Sequence, residues 1–260
     1  MKRDYFSIHA HSEYSNLKVI DSTNRFSRMM DYAWDIGLSG IAMTDHDCIS
    51  GAIKYIKTFK KKINKEWCKV HEDWLADKPF PSVAEMAEEL DFKPILGNEI
   101  YLSEEGLCEE NMYGGHFWHL ILLAKNKQGY KNICKLSSIA YIDGLYNRPR
   151  IDKELLEQYH EGLIVTSACL GGEIPQLILN GQIDEAEKSI RWFKNLFGDD
   201  FYLEVQAHKG NIEVLNELIY KRQQQVNKVI FELAAKTQTK VVASNDVHFV
   251  LESNADAHER

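Results

Sequence analysis

No run of apolar residues approaches the roughly 18 that a membrane-spanning helix needs, and the opening Met1-Lys2-Arg3-Asp4-Tyr5 lacks the hydrophobic stretch of a secretory signal. Neither an anchor nor export is expected, and the expected location is the cytoplasm. Cysteine is sparse. The five present are an odd number, scattered without a Cys-x-x-Cys pair, which argues against a disulfide framework and for a reducing compartment. A basic excess is also missing. The formal charge of -8 opposes the positive footprint of a protein that grips nucleic acid by its phosphates, so any DNA contact must be local or supplied by another domain. Internal repeats and low-complexity segments are absent too.

What is there reads as an ordinary globular α/β chain. At 260 residues it can bury a full core, either as one barrel or as two smaller domains. Seven apolar, β-branched runs predict strands at residues 5–8, 40–43, 94–102, 117–123, 163–167, 201–205 and 240–243. Helices are predicted between them. Ser22 or Thr23 is placed to cap a segment carrying Phe26, Met29, Met30, Ala33 and Trp34 at three-to-four spacing, which stops at Gly37. Asp152 caps a second through Tyr159, Asp184 starts a third that runs to Phe197, and residues 212–235 hold a fourth. Alternation of this kind implies a mostly parallel sheet. Few turn-rich linkers favour a closed seven-stranded β/α barrel, although the periodicity is compatible with an open sheet as well. Residues 59–91, with Trp67, Trp74 and Pro79-Phe80-Pro81, fit the alternation poorly and read as a helical insertion. It is either a contact for another domain or protein, or a surface hairpin packed on itself. The lysines between Lys57 and Lys65 read as a solvated helix face rather than a nucleic-acid patch.

Polar residues with metal-ligand chemistry cluster at these strands. His9 and His11 follow the first, and residues two apart in extended chain project to one side. Thr44-Asp45-His46 follows the second, with His46 the candidate ligand and Asp45 a candidate to orient an imidazole. Glu99 interrupts the third, where a carboxylate is costly unless paired or metal-bound. His119 lies in the fourth, Cys169 just after the fifth, and Asp246 and His248 after the last. Singly, each has a bland reading: a core histidine, a structural thiol, a helix-flanking acid. Jointly, five of the ten histidines and several other donors fall on or after six strand-like runs, which points to a polynuclear metal site.

At these residues the chain resembles the PHP (polymerase and histidinol phosphatase) family, within it the N-terminal PHP domains of bacterial replicative DNA polymerase III alpha subunits, the C-family polymerases. The resemblance rests on His9-Ala-His11-Ser12-Glu13-Tyr14-Ser15, Thr44-Asp45-His46, Gly97-Asn98-Glu99, Arg148-Pro149-Arg150-Ile151-Asp152, Ser167-Ala168-Cys169-Leu170-Gly171-Gly172 and Ala243-Ser244-Asn245-Asp246-Val247-His248-Phe249, and spans almost the whole chain. It implies a distorted seven-stranded (β/α)7 barrel as a single domain over residues 1–260. It further implies two or three divalent ions, Zn, Mn or Fe, held by His9, His11, Asp21, His46, Glu99, His119, Cys169, Asp246 and His248. Asp21 departs from the pattern, because residues 16–20 lengthen its loop.

Residues 255–260 fall about where such a domain hands over to polymerase domains, so a fragment without the polymerase aspartates is expected. The implied activity is metal-dependent phosphoesterase, as a 3′-5′ proofreading exonuclease on a DNA 3′ end, with His9, His11, Asp246 and His248 at its centre and Arg150 neutralising a substrate phosphate. Downstream polymerase domains and other replisome subunits are the expected partners. Two other readings stand beside it: a metal-stabilised scaffold without catalysis, and a free-standing small-molecule phosphatase.

Overall fold

A computed structural model describes residues 4–16, 22–71, 79–103, 106, 117–209 and 213–254. They divide into two compact units. One comprises Met1–Met43, Ser50–Leu96 and Val247–Arg260, the other Thr44–Ile49 and Gly97–Asp246.

In the first unit, β1 (Phe6–Ser7) runs parallel to β2 (Gly40–Met43), and β2 parallel to the opening residues of β3 (Lys93–Ser103). Gly40 is required here, because a Cβ would sit 2.3 Å from the Lys93 carbonyl oxygen. Helix α1 (Phe26–Asp35) buries Phe26, Met29, Met30 and Ala33, the stripe expected from their spacing. Its cap differs from expectation. The N-cap is Arg25, whose side chain has no acceptor to offer, while Ser22 lies three residues earlier and is engaged elsewhere. Helix α2 (Ala52–Val70) lays the fully buried Tyr55 edge-on against Phe26, ring centroids 5.3 Å apart, and the Tyr55 hydroxyl donates to the Ile41 carbonyl.

Residue 59 is not a boundary, since α2 runs unbroken through it and packs Phe59 against Phe92. Lys57, Lys60, Lys61 and Lys65 face solvent, whereas Lys62 is buried and paired with Asp31 at 2.7 Å and Glu66 at 3.0 Å. Helix α3 (Val83–Glu89) opens on a capping box of Ser82 and Glu85 and returns to α2, where Trp67 Nε1 donates to Glu89 at 2.8 Å. Trp74 lies outside the described residues.

In the second unit, β3 continues the ladder to β4 (Phe117–Ala124). Helix α4 (Lys127–Ile142), strands β5 (Leu145–Tyr146) and β6 (Arg148–Ile151), helix α5 (Lys153–Gln158) and strand β7 (Leu163–Thr166) follow. Then come α6 (Glu173–Leu179), α7 (Ile183–Phe197), β8 (Phe201–Val205), α8 (Glu213–Leu215), α9 (Lys221–Thr237) and β9 (Lys240–Ala243). Strand order is β3-β4-β7-β8-β9, with β6 pairing to β3 outside that path. The seven expected runs are thus all strands of one α/β ladder, the class read from the sequence. Asp152 caps α5 as expected, accepting from the Leu155 amide at 2.9 Å. The helix expected over 212–235 is interrupted, because Asn216–Tyr220 winds as a π-helix. Among the described residues no helix is long and apolar enough to cross a membrane.

Two features position the site. First, β4 runs antiparallel to both β3 and β7, so the sheet is not parallel throughout. Reversal brings the start of β4, with His119, opposite Tyr101 near the end of β3. Second, alternation along the strands sends Ile100, Leu102, Leu120 and Leu122 into the core shared with Leu136, Phe193 and Ile230. Glu99, Tyr101 and His119 are thereby turned to the opposite face. Burial of each large side chain in that core stabilises by about 1.5 to 3 kcal/mol, which offsets the cost of the polar face.

Candidate metal centre

The first unit brings together His9, His11 and His248. His9 and His11 follow β1, both fully buried, with ring centroids 5.2 Å apart. His11 stacks on His248 at 4.2 Å with planes 18° apart, and its Nδ1 meets Ser15 Oγ at 3.0 Å. Backbone pairing sets this approach: the His11 amide donates to the Val247 carbonyl at 2.8 Å, and the Val247 amide to the His9 carbonyl at 3.1 Å. Ser22 then pins both segments, its hydroxyl lying 2.8 Å from the His11 carbonyl and 2.9 Å from that of His248. Asn24 Nδ2 adds a bond to the His11 carbonyl at 3.0 Å.

The second unit assembles His46, Glu99, His119, Cys169 and Asp246. Glu99 is fully buried; its Oε2 lies 3.0 Å from His46 Nδ1 and its Oε1 2.7 Å from His119 Nδ1. Cys169 Sγ is 3.5 Å from His119 Nδ1. The Tyr101 ring packs nearly parallel to His46 at 6.1 Å and edge-on to His119 at 5.0 Å, which restricts both imidazoles. Loops are laid against strands to make this possible. His46 bridges to Glu99 through Glu99 N to Asp45 O (3.2 Å) and Asp47 N to Glu99 O (2.9 Å), and the His119 amide donates to Gly171 O at 3.0 Å. Asn98 Nδ2 holds the loop by donating to Asp45 O at 2.7 Å and Cys48 O at 3.2 Å. Gly97 admits the close β3–β4 approach, since a Cβ there would meet the Leu122 carbonyl at 2.6 Å.

Backbone strain gathers at the same positions. Asp47, Ala168 and Asp246 have φ of 65°, 57° and 47°, a region that costs a residue with a Cβ about 1 to 3 kcal/mol. One directly follows His46, one directly precedes Cys169, and the third is itself a candidate ligand.

Electrostatics favour a cation. Burial pushes the Cys169 thiol well above its usual value of 9.0, and the charges of Glu99, Asp246 and Glu204 push it further, against a bond from the Gly171 amide. A divalent ion beside the thiol would reverse that balance. Ligand atoms of His46, Glu99 and His119 all lie within 4.8 Å of one another, close to the spread of donors about 2.1 Å from one ion. Imidazole, carboxylate and thiolate together suit Zn, Mn or Fe better than Mg. The donors therefore fit a divalent metal.

Asp21 lies outside the described residues. Arg150 is buried with 1% exposure; its Nε lies 3.5 Å from the Gly144 carbonyl, its guanidinium 5.2 Å from the Tyr146 ring, and it pairs with Tyr101 across β6 and β3. Residues the sequence did not single out are Ser22 in its pinning role, Tyr101, Asp47 and Glu204. Glu204 carried the signal that exposed Glu99, a carboxylate inside an apolar run. It accepts from Thr166 Oγ1, Ser244 Oγ and Gln206 Nε2, a network that braces the ends of β7, β8 and β9. His208 Nε2 lies 2.7 Å from the Asn245 carbonyl, beside Asp246.

Comparison with known proteins gives the family. The family model described as PHP domain matches residues 7–208. Relatives named DNA polymerase III subunit alpha align along nearly the whole chain: 38% identity over 98% of it in Borreliella burgdorferi, 33% over 99% in Treponema pallidum and 32% over 99% in Thermus aquaticus. These alignments cover 19%, 19% and 18% of the relatives, so the chain spans about a fifth of their length.

Proposed function

The chain belongs to the PHP domain family, and from that premise we propose that it is the metal-dependent phosphoesterase domain of a bacterial DNA polymerase III alpha subunit, removing nucleotides from a DNA 3′ end. The observation that carries the reading is the buried Glu99 carboxylate held between the Nδ1 atoms of His46 and His119, with the Cys169 thiol alongside. An anionic group sealed from water in that company is costly without a cation. The proposed ligands are His9, His11 and His248 from one unit and His46, Glu99, His119, Cys169 and Asp246 from the other, with Asp21 from the family pattern. Held by these residues, two or three divalent ions would supply activation of water and charge stabilisation of the phosphodiester and its leaving oxygen.

The chain's own residues do the rest. Glu99 and Tyr101 fix the ring orientations of His46 and His119. Ser22 holds the backbone carbonyls of His11 and His248, and Asn24 that of His11, so the backbone carrying those rings is set before any ligand arrives. Burial of His9, His11 and Glu99 strengthens each electrostatic contact by excluding water.

Elemental analysis of protein prepared without chelator, paired with a 3′-labelled single-stranded DNA assay, tests this. More than one equivalent of Zn, Mn or Fe is expected, with chelation lowering the thermal midpoint and abolishing 3′ digestion. Protein holding under about a tenth of an equivalent refutes the centre. The net charge of -8 favours a second reading, a metal-stabilised scaffold for the polymerase or a proofreading subunit. Full metal content with no digestion of 3′ ends would favour the scaffold.

A further inference from the structure

Arg148 stands one aromatic ring away from the second ligand set. Its guanidinium carbon lies 5.3 Å from the centre of the Tyr101 ring, the ring that packs against both His46 and His119. Its Nη1 is 3.5 Å from Asp47 Oδ2, and Asp47 directly follows His46. Asp47 is itself held firmly: its amide donates to the Glu99 carbonyl at 2.9 Å and its carbonyl lies 3.4 Å from Ser137 Oγ. The Arg148 side chain keeps 30% of its surface in solvent, whereas Asp47 keeps 6%. An anion arriving from solvent can therefore reach the guanidinium, but not the acid behind it. Tyr141, at the end of α4, senses the same group. Burial pushes its phenol up to about 12, with Asp47 and Cys48 adding to the shift and Arg148 opposing it, so it remains a neutral hydroxyl beside the arginine.

An ion pair of 3.5 Å is long for a guanidinium and a carboxylate, whose charge-assisted bonds fall near 2.7 to 2.9 Å. Asp47 and Tyr101 orient the fork without consuming it. The acids of the ligand set, with Glu99, Asp246 and Glu204 all acting on the Cys169 thiol, would by themselves repel an incoming phosphodiester. A planar, permanently charged group matches phosphate bidentately where an ammonium does not.

We propose that Arg148 is a substrate-binding residue that grips a phosphate oxygen of the phosphoester, held in place by Asp47 and the Tyr101 face. This rests on the phosphoesterase reading and names its phosphate contact. Arg150, two residues on, is 1% exposed, so Arg148 is the one of the two that an anion from solvent meets first.

Kinetics of metal-loaded protein test it, with thymidine 5′-(p-nitrophenyl phosphate) as the substrate and inorganic phosphate as a competing inhibitor. Arg148→Ala is expected to raise both KM and the phosphate inhibition constant about 10- to 100-fold, the loss of one charge-assisted contact. The change in kcat should be smaller, with metal content and thermal midpoint as in the wild type, and Arg148→Lys should recover part of the loss. Unchanged KM and phosphate inhibition in Arg148→Ala, against an active wild type, would overturn this assignment alone, as would loss of metal or of the fold. An inactive wild type that ignores phosphate would overturn the phosphoesterase reading and this contact with it.

Discussion

Replacing Ser22 separates two roles that its position suggests. In sequence it is a helix cap for the segment at Phe26; in the structure it has left that helix, and its hydroxyl joins the carbonyls of His11 and His248. The side chain is 2% exposed and also accepts from the Asn24 amide at 3.1 Å. In Ser22→Ala the two carbonyls keep a second partner each, Asn24 Nδ2 for His11 and the Thr23 amide for His248. The Asn24 amide loses its acceptor in a buried setting. One orphaned donor and two weakened acceptors come to about 2 kcal/mol, or about 4 to 8 °C in thermal midpoint for a chain of this size.

Ser22→Gly makes the decision. A cap tolerates glycine at a cost of a few tenths of a kcal/mol, roughly, whereas a pin between two segments loses as much to glycine as to alanine. Thermal and urea unfolding of both variants, each with metal content measured in parallel, are the assay. Both variants should fall by similar amounts and retain less metal. A glycine variant as stable as the wild type, with full metal, would refute the pinning role.

His9→Ala and Asp246→Ala lie at opposite ends of the sequence, yet each should abolish 3′ digestion while the fold persists; wild-type rates in both folded variants would sink the ligand assignment. Glu66 is pushed up by burial but held below its ordinary value of 4.5 by bonds from Lys69 and Lys62, which outweigh it. A depressed carboxylate stabilises above its unfolded value and loses that contribution as pH falls through the folded one. Glu66→Gln should therefore match the wild type in acid, below both values, and fall behind as pH rises to about 4.5 and beyond. Equal stability of the two proteins at pH 7, measured by urea unfolding, would refute that.

The seven strands were legible because short apolar, β-branched runs bounded by polar segments have few other uses, and His46, Glu99, His119 and Cys169, which the structure brings together, stood out as candidate donors because polar groups inside or beside such runs are costly unless paired. The helix from Phe26 was legible for the same kind of reason, its stripe of Met29, Met30 and Ala33 repeating at the helical period. Strand direction was not. Alternation along β4 reads the same forwards and backwards, so nothing local distinguishes the antiparallel strand that carries His119 to Tyr101. Nor could spacing say that Ser22 would leave its helix for carbonyls 11 and 226 residues away, or that Lys62 alone among its neighbouring lysines would be buried. Chemistry of a side chain is local and is written in its identity; a hydrogen-bond partner, a burial or an ion pair is set by which segments the packed chain brings together. That is why Arg148 and Arg150, two residues apart on one strand, could be recognised as cations from the sequence, while only the folded chain, by burying one and leaving the other beside Asp47 and Tyr101, separated their surroundings.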